Sequence, residues 1–265
     1  MDADGLVAAH YGAGDAEGAI LGALAAAGRD VEALTVADLA PVDELHAGSR
    51  AATMYLLERL DLAATARLLD VGSGLGGAAR AAAAAFGCQV DGVDLTPEFV
   101  RTATALTGRV GLAGRVSFTA TTGDTLPFGD GTFDRAMMIH VGMNIEGKAA
   151  VFAEVRRVLR PGGRFGLFEQ VRASDGPLPY PLPWAEDERS SFVATPASYI
   201  ADLTRAGFDV ELVEDRTAEV GGPPPAGPLG PHVVFGPGFA ERIGNNVAAT
   251  RAGLLAPVVI VARAL

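Results

Sequence analysis

The chain has 265 residues, of which 49% are hydrophobic and 20% charged; this suits one generous α/β domain, or one with an inserted cap, and excludes a disordered chain. Its formal charge is −11, from 32 acidic against 21 basic residues, and no cluster of Lys and Arg is present to displace the counterions of a nucleic-acid backbone, so no nucleic-acid partner is expected. No charged-then-apolar segment opens the chain and no apolar run approaches the roughly 20 residues that span a bilayer, so the expectation is a cytoplasmic protein with no membrane partner.

The first forty residues are rich in Gly and Ala and read as an irregular lead-in followed by a helix near Ala16–Ala27. Ser49–Leu60 has helical periodicity, with Leu56, Leu57 and Leu60 on one side. Arg67–Val71 reads as a fully buried strand that ends in a glycine-rich turn and opens into a helix, Gly77–Phe86. Cys88, the single cysteine, has no disulfide partner and no neighbours with metal-ligand spacing; it reads as a small buried residue on the way into the next strand. That strand is Gln89–Asp94, followed by a helix at Pro97–Thr107, a third strand at Val116–Ala120 and a fourth at Phe133–Ile139. A helix at Lys148–Leu159 and a fifth strand at Arg164–Phe168 complete the regular part. Strict alternation of strand and helix predicts a parallel sheet with right-handed crossovers, a doubly wound fold. Two proline-dense stretches, Asp175–Pro183 and Gly221–Pro231, break the rhythm as loops, because proline lacks the donor that a helix interior or central strand needs. Between them lie a helix at Pro196–Ala206 and a strand at Phe208–Asp215; after them come a helix around Pro237–Ala252 and a closing strand, Val258–Ala262.

The strongest local signal is Leu68-Leu-Asp-Val-Gly-Ser-Gly-Leu-Gly-Gly77. Gly72 and Gly74 allow a sharp turn and a close approach by a ligand, and the helix beyond points its unpaired N–H groups into the crevice. Three acids accompany it: Asp70 just before the glycines, Asp94 at the end of the next strand, where a carboxylate can accept from both ribose hydroxyls, and Asp124 after the third strand. Asp70 and Asp94 taken singly also read as a helix cap or a turn closure. An acid directly before the turn fits a pyrophosphate poorly, which argues against a dinucleotide.

These motifs resemble the class I S-adenosylmethionine-dependent methyltransferases, especially the small-molecule branch that holds the sarcosine/dimethylglycine and ubiquinone/menaquinone methyltransferases. Leu69–Gly74 is similar to the family's cofactor loop, Val93-Asp-Leu-Thr96 to its ribose-binding acid, and Gly123-Asp124 with Leu126-Pro-Phe128 to its adenine contact. Phe133-Asp134 resembles the start of its fourth strand and Arg157–Gly163 the approach to its fifth, so the match covers Leu68–Phe168 in order. It continues more weakly upstream over Asp43–Thr53, where Gly48-Ser49 stands in place of two glycines, and downstream over Tyr180–Ala185. The resemblance implies a mostly parallel, seven-stranded, Rossmann-like sheet. It implies a helical lid over residues 1–60 and a cofactor-binding domain over 61–265, with a cap at about 171–197 and a second loop at about 218–238. It implies S-adenosyl-L-methionine as cofactor and S-adenosyl-L-homocysteine as product, held by Tyr11, Asp70, Gly72, Ser73, Gly74, Asp94, Leu95, Gly123, Asp124, Thr125 and Ile139.

Methyl transfer is the attack of a lone pair on the methyl of a sulfonium, so the protein mainly aligns and desolvates the reactants. A free amine needs little beyond a route for its proton, whereas a hydroxyl or carbon acid needs a base. The candidates lie at strand ends. His140 reads as general base or as a structural histidine, and Glu169 as a proton acceptor, an amine ligand or a solvated strand-end acid. Arg172 reads as a carboxylate partner or a surface charge, and Asn144, beside Met143, as a substrate contact or a helix cap. Tyr11, His46 and Arg50 come from the lid; Tyr11 reads as a cofactor contact or as lid packing, and His46 and Arg50 as substrate contacts. Trp184, the single tryptophan, is a pocket wall or a packing anchor. The expected activity is methylation of a small molecule, with amine nitrogen ahead of hydroxyl oxygen or carbon. The alternative is a cyclising or pericyclic reaction on the same cofactor-binding fold. No metal is expected, since no ligand set has a recognised spacing, and the expected assembly is a monomer or homodimer.

Overall fold

The computed structural model describes residues 15–223 and 227–265, so Tyr11 lies outside the described residues. Helices α1 (Ala16–Ala26), α2 (Val36–Asp43) and α3 (Ser49–Arg59) precede β1 (Arg67–Val71), α4 (Gly77–Phe86), β2 (Gln89–Asp94), α5 (Pro97–Arg109), β3 (Val116–Ala120) and β4 (Phe133–Ile139). A 3₁₀ turn at Gly142–Asn144 leads to α6 (Lys148–Val158), β5 (Leu159–Arg172), α7 (Pro196–Arg205) and β6 (Phe208–Asp215). The single-turn helices α8 (Thr217–Val220) and α9 (His232–Phe235), then α10 (Phe239–Arg251) and β7 (Leu255–Ala264), close the chain.

The seven strands run in the order β3-β2-β1-β4-β5-β7-β6. The first five run parallel to one another, and β7 is antiparallel to both β5 and β6. Strand order reverses between β1 and β4, which opens a crevice beyond their carboxyl ends. Successive side chains of a strand face opposite layers: Leu69 and Val71 join Phe152, Val155, Tyr199 and Leu203 of α6 and α7 in one core. Leu68 and Val90 join Leu56 and Leu57 of α3 and the alanines of α4 in the other. The alanine run of α4 thus serves close helix-to-sheet packing, and α3 belongs to the layer covering the sheet.

Several elements extend beyond the sequence expectation. The strand expected at Arg164–Phe168 runs from Leu159 to Arg172, because it is central, paired with β4 on one side and β7 on the other. Helix α2 is absent from the sequence reading; Pro41 within it argues against a helix. Its start is secured by a capping box, Thr35 Oγ1 accepting from the Asp38 amide at 3.3 Å and Asp38 Oδ2 from the Thr35 amide at 3.0 Å. Among the described residues no helix is long and apolar enough to cross a membrane.

A fully buried ion pair sets the carboxyl end of α2 against the rest. Arg80 of α4 donates to Asp43 Oδ2 at 2.6 Å, to the Leu75 carbonyl at 2.6 Å and to Thr107 Oγ1 at 3.0 Å. One guanidinium therefore joins α2, the glycine turn and α5. Arg80→Ala is expected to destabilise the protein by about 3–5 kcal/mol, because it strands a buried carboxylate. The double variant Asp43→Leu/Arg80→Met should recover most of that loss, and urea unfolding of both measures it.

Candidate active site

The site is built around the turn after β1. Gly72 has φ +72°, and a Cβ there would lie 2.3 Å from Val141 Cγ2, so only glycine lets the turn pass beneath the segment that follows β4. The Gly72 and Ser73 amides both donate to the Val93 carbonyl, at 2.8 and 2.9 Å, which locks the turn to β2. Gly74, at φ +52°, faces open space: nothing lies within 4 Å of a Cβ placed on it. Its amide donates to Asp94 Oδ2 at 2.7 Å while the Thr96 amide donates to Oδ1 at 2.8 Å. These bonds fix the Asp94 carboxylate at the rim of a cavity of about 440 Å³. Asp124, exposed after β3, lines the same cavity. The carboxylates expected to read the two ends of an adenosine group therefore converge on one space.

A second set of acids gathers behind the glycines. Asp70 is buried, its Oδ2 has no hydrogen-bond partner, and burial, followed by the charges of Asp94 and Glu44, pushes its carboxyl up to about 8. Glu44 is also buried, and burial works to raise it. Hydrogen bonds from His46 and Thr53, with the charges of His46 and Arg50, nonetheless hold it below its ordinary value. Arg50 Nε lies 2.5 Å from Glu44 Oε1, and His46 Nε2 lies 3.2 Å from Oε2. Asp70 is left uncompensated among acids, and a ligand with a cationic end would relieve it. The ammonium group of the expected cofactor fits that requirement.

His140 follows β4 at φ +54°, held there by its amide, which donates to the Phe168 carbonyl at 2.8 Å. Its ring packs edge-on against Phe168, with centroids 4.9 Å apart, and 5.6 Å from the ring of His46. Desolvation, with a contribution from the His46 charge, holds its imidazole well below the ordinary range. His140 is therefore neutral at physiological pH, its Nε2 has no hydrogen-bond partner, and the residue lines the cavity.

Most residues singled out in the sequence meet there. Asp70, Gly72, Ser73, Gly74, Asp94, Leu95, Gly123, Asp124 and Ile139 line the cavity, as do His46, Met143, Asn144 and Trp184. Asn144 caps no helix: its Nδ2 donates to the Trp184 carbonyl at 2.8 Å and steadies that residue. Trp184 is both wall and anchor, since its indole N–H donates to Ser191 Oγ at 2.9 Å while the side chain lines the cavity.

Four expectations are corrected. Glu169 is fully buried and does not line the cavity. It accepts from the Val141 and Gly142 amides at 3.2 and 3.0 Å, so it shapes the turn that carries His140. Burial pushes its carboxyl up to about 8, opposed by those two amides and by Lys148. Arg50 is turned to Glu44 and the Val36 carbonyl. Arg172 is turned to the Gly176 carbonyl. Thr125 is exposed, and its carbonyl accepts from Thr121 Oγ1 at 2.9 Å. Residues the sequence reading missed include Asp43 and Glu44, brought in by α2, Glu146, and Phe235 and Phe239 beyond the second proline loop. The upstream resemblance over Asp43–Thr53 covered the first two without giving them a role. Among the described residues no three His, Cys, Asp or Glu side chains gather as a metal ion requires.

Comparison with known proteins agrees with this geometry. Residues 69–167 match the family model of a methyltransferase domain. The methyltransferase phqN of Penicillium fellutanum is 31% identical over 170 residues, which cover 62% of this chain and 52% of that protein. The glycine/sarcosine/dimethylglycine N-methyltransferase of Actinopolyspora halophila is 28% identical over 176 residues, 66% of this chain and 31% of that protein. The chain thus spans about half the length of the first relative and about a third of the second. In fold it is similar to a geranyl diphosphate methyltransferase solved in complex with S-adenosylmethionine, with a TM-score of 0.67, 22% identity, and coverage of 82% of this chain and 85% of that one.

The Asp70 carboxyl keeps its proton in the folded protein up to about pH 8, whereas the unfolded chain loses it near 3.8. Between those values the folded state binds the extra proton, so this residue lowers stability as pH rises. Asp70→Asn removes that contribution. In the ligand-free protein the variant should gain on the wild type from about pH 5 to about pH 8, with a slope approaching about 1.4 kcal/mol per pH unit, and level off above. Urea unfolding at stepped pH measures it, and a pH-independent difference would mean that Asp70 is ionised throughout.

Proposed function

We propose that this chain, which carries a class I S-adenosylmethionine-dependent methyltransferase domain, transfers a methyl group from S-adenosylmethionine to the hydroxyl oxygen of a small molecule. The observation that supports this reading is the shared cavity: the cofactor's acids and glycines line the same space as a neutral histidine and an aromatic wall. When bound, the cofactor supplies a methyl group already activated on a sulfonium. Asp94 holds the ribose hydroxyls and Asp124 the adenine edge. Asp70 lies behind the Gly72–Gly74 turn and receives the cationic amino end.

His140 supplies what a hydroxyl acceptor needs and an amine acceptor does not: a neutral imidazole that takes the proton as the oxygen is alkylated. The expectation of an amine acceptor therefore gives way to oxygen in this reading. Glu169 and the Phe168 carbonyl keep the His140 turn in place, and Trp184, steadied by Asn144, shields the reacting atoms from water. Helices α1 and α2 form the lid in this reading, packing with Leu75, Phe99 and the α9 segment over the cofactor end, while α3 stays with the sheet.

Incubation with methyl-labelled cofactor and a set of phenols and alcohols tests the activity, and label retained by a cofactor that binds normally would point to a non-methylating reaction. His140→Gln should lower kcat about 10²–10⁴-fold with little change in cofactor affinity. Because the ring stays neutral below its ordinary 6.5, the acid limb of the wild-type profile should fall below that pH. Asp94→Ala should instead weaken S-adenosylhomocysteine binding about 10- to 100-fold, read by calorimetry.

A further inference from the structure

The apolar part of the cavity lining includes Ile139, Met143, Ile145, Trp184, Phe235 and Phe239. What the lining does not present is a permanently charged cation. No Lys or Arg lines the cavity, and the segments outside the described residues, 1–14 and 224–226, contain neither residue type. Arg101, two positions beyond Phe99, is exposed on α5, and the other basic side chains close in sequence to the lining are committed elsewhere. Lys148, the single lysine, donates to the Ile145 and Phe192 carbonyls at 2.7 and 2.6 Å. Arg50 and Arg80 are paired with Glu44 and Asp43. Arg242 donates to the Leu182 and Ala185 carbonyls at 3.1 and 3.3 Å and pairs with Glu186.

Helix α6 begins beside the cavity, and a helix amino end can hold an anion. Here Glu146, itself a cavity residue, stands two positions before that helix and brings negative charge to the same place. An anionic acceptor would leave water for a space whose unpaired charges share its own sign, and desolvation would go uncompensated. An uncharged apolar molecule meets no such penalty and covers the aromatic wall.

We propose that the acceptor is an uncharged, largely apolar alcohol or phenol, and that this cavity rejects carboxylate, phosphate and diphosphate acceptors. The inference rests on the methyl-transfer reading of the same site. The likeness in fold to a geranyl diphosphate enzyme does not carry that enzyme's anionic acceptor to this chain.

Trp184 is the single tryptophan, it is 3% exposed, and it lines the cavity, so its emission reports acceptor binding directly. The full chain, saturated with S-adenosylhomocysteine, is titrated with non-fluorescent pairs of equal skeleton and different charge. These are geraniol against geranyl diphosphate, decanol against decyl phosphate, and cyclohexylmethanol against its phosphate, each with and without magnesium. At least one alcohol should shift the emission and bind about tenfold or more tightly than its phosphorylated counterpart. Glu146→Lys should narrow that gap about threefold or more by strengthening the phosphate ester. A phosphorylated compound that binds as tightly as its alcohol, with or without magnesium, overturns the proposal. So does a Glu146→Lys gap that stays unchanged, or the failure of every alcohol to shift Trp184 while S-adenosylhomocysteine binds. Calorimetry with S-adenosylhomocysteine alone keeps the two readings apart. An alcohol that shifts Trp184 in a protein giving no heat with that ligand refutes the cofactor reading and upholds the acceptor class.

Discussion

A β-carbon at Gly72 would collide with Val141, and the site follows from its absence. Because the backbone turns there unhindered, the Gly72 and Ser73 amides reach the Val93 carbonyl and the Gly74 amide reaches Asp94. The turn is thereby fixed to β2 on one side and lies beneath the β4 exit on the other. Three strands then deliver an acid, an open glycine and a histidine to one cavity. Moving any of them would move the others, since each is held by backbone groups of its neighbour.

The same packing leaves an electrostatic debt. Asp70 is buried beside Asp94 and Glu44 with one oxygen unpartnered. The protein compensates Glu44 with Arg50, His46 and Thr53, and Asp43 with Arg80, but it assigns Asp70 no cation. An unsatisfied buried carboxyl is tolerated where a ligand completes it, so the imbalance reads as preorganisation for a cationic group. The acceptor end solves a different problem. There Trp184 is fixed through its indole N–H, which donates to Ser191 Oγ.

His140 illustrates how a strained position becomes useful. A positive φ is uncommon for a residue with a Cβ, and it persists here because the Phe168 carbonyl, the Phe168 ring and the Glu169-bound turn together determine it. The His46 ring nearby is bracketed by the Ala47 carbonyl at 3.1 Å and Glu44 Oε2 at 3.2 Å, and its charge helps keep His140 a free base. Glu169, which reads from sequence as the proton acceptor, acts one layer further back, organising the loop from which the histidine projects.

The sheet and the cofactor end were legible in the sequence because their signals are local. Buried strands of a parallel sheet read as short apolar runs, the glycine turn has its own pattern, and Asp70, Asp94 and Asp124 sit at fixed positions relative to strand ends. The strands Arg67–Val71, Gln89–Asp94, Val116–Ala120 and Phe133–Ile139 are found at the expected bounds for that reason. The rest of the cavity lining was not legible. Asp43 and Glu44 arrive behind the glycine turn from a helix that Pro41 disguises, Phe235 and Phe239 arrive from beyond the second proline loop, and no local pattern announces that such distant segments will meet. Tertiary packing alone decided that Glu169 lies behind the turn, that Arg50 pairs with Glu44 and Arg172 with the Gly176 carbonyl, and that no Lys or Arg lines the cavity. A side chain's charge is written in the sequence, but its partner and its exposure are set by which distant backbone closes over it.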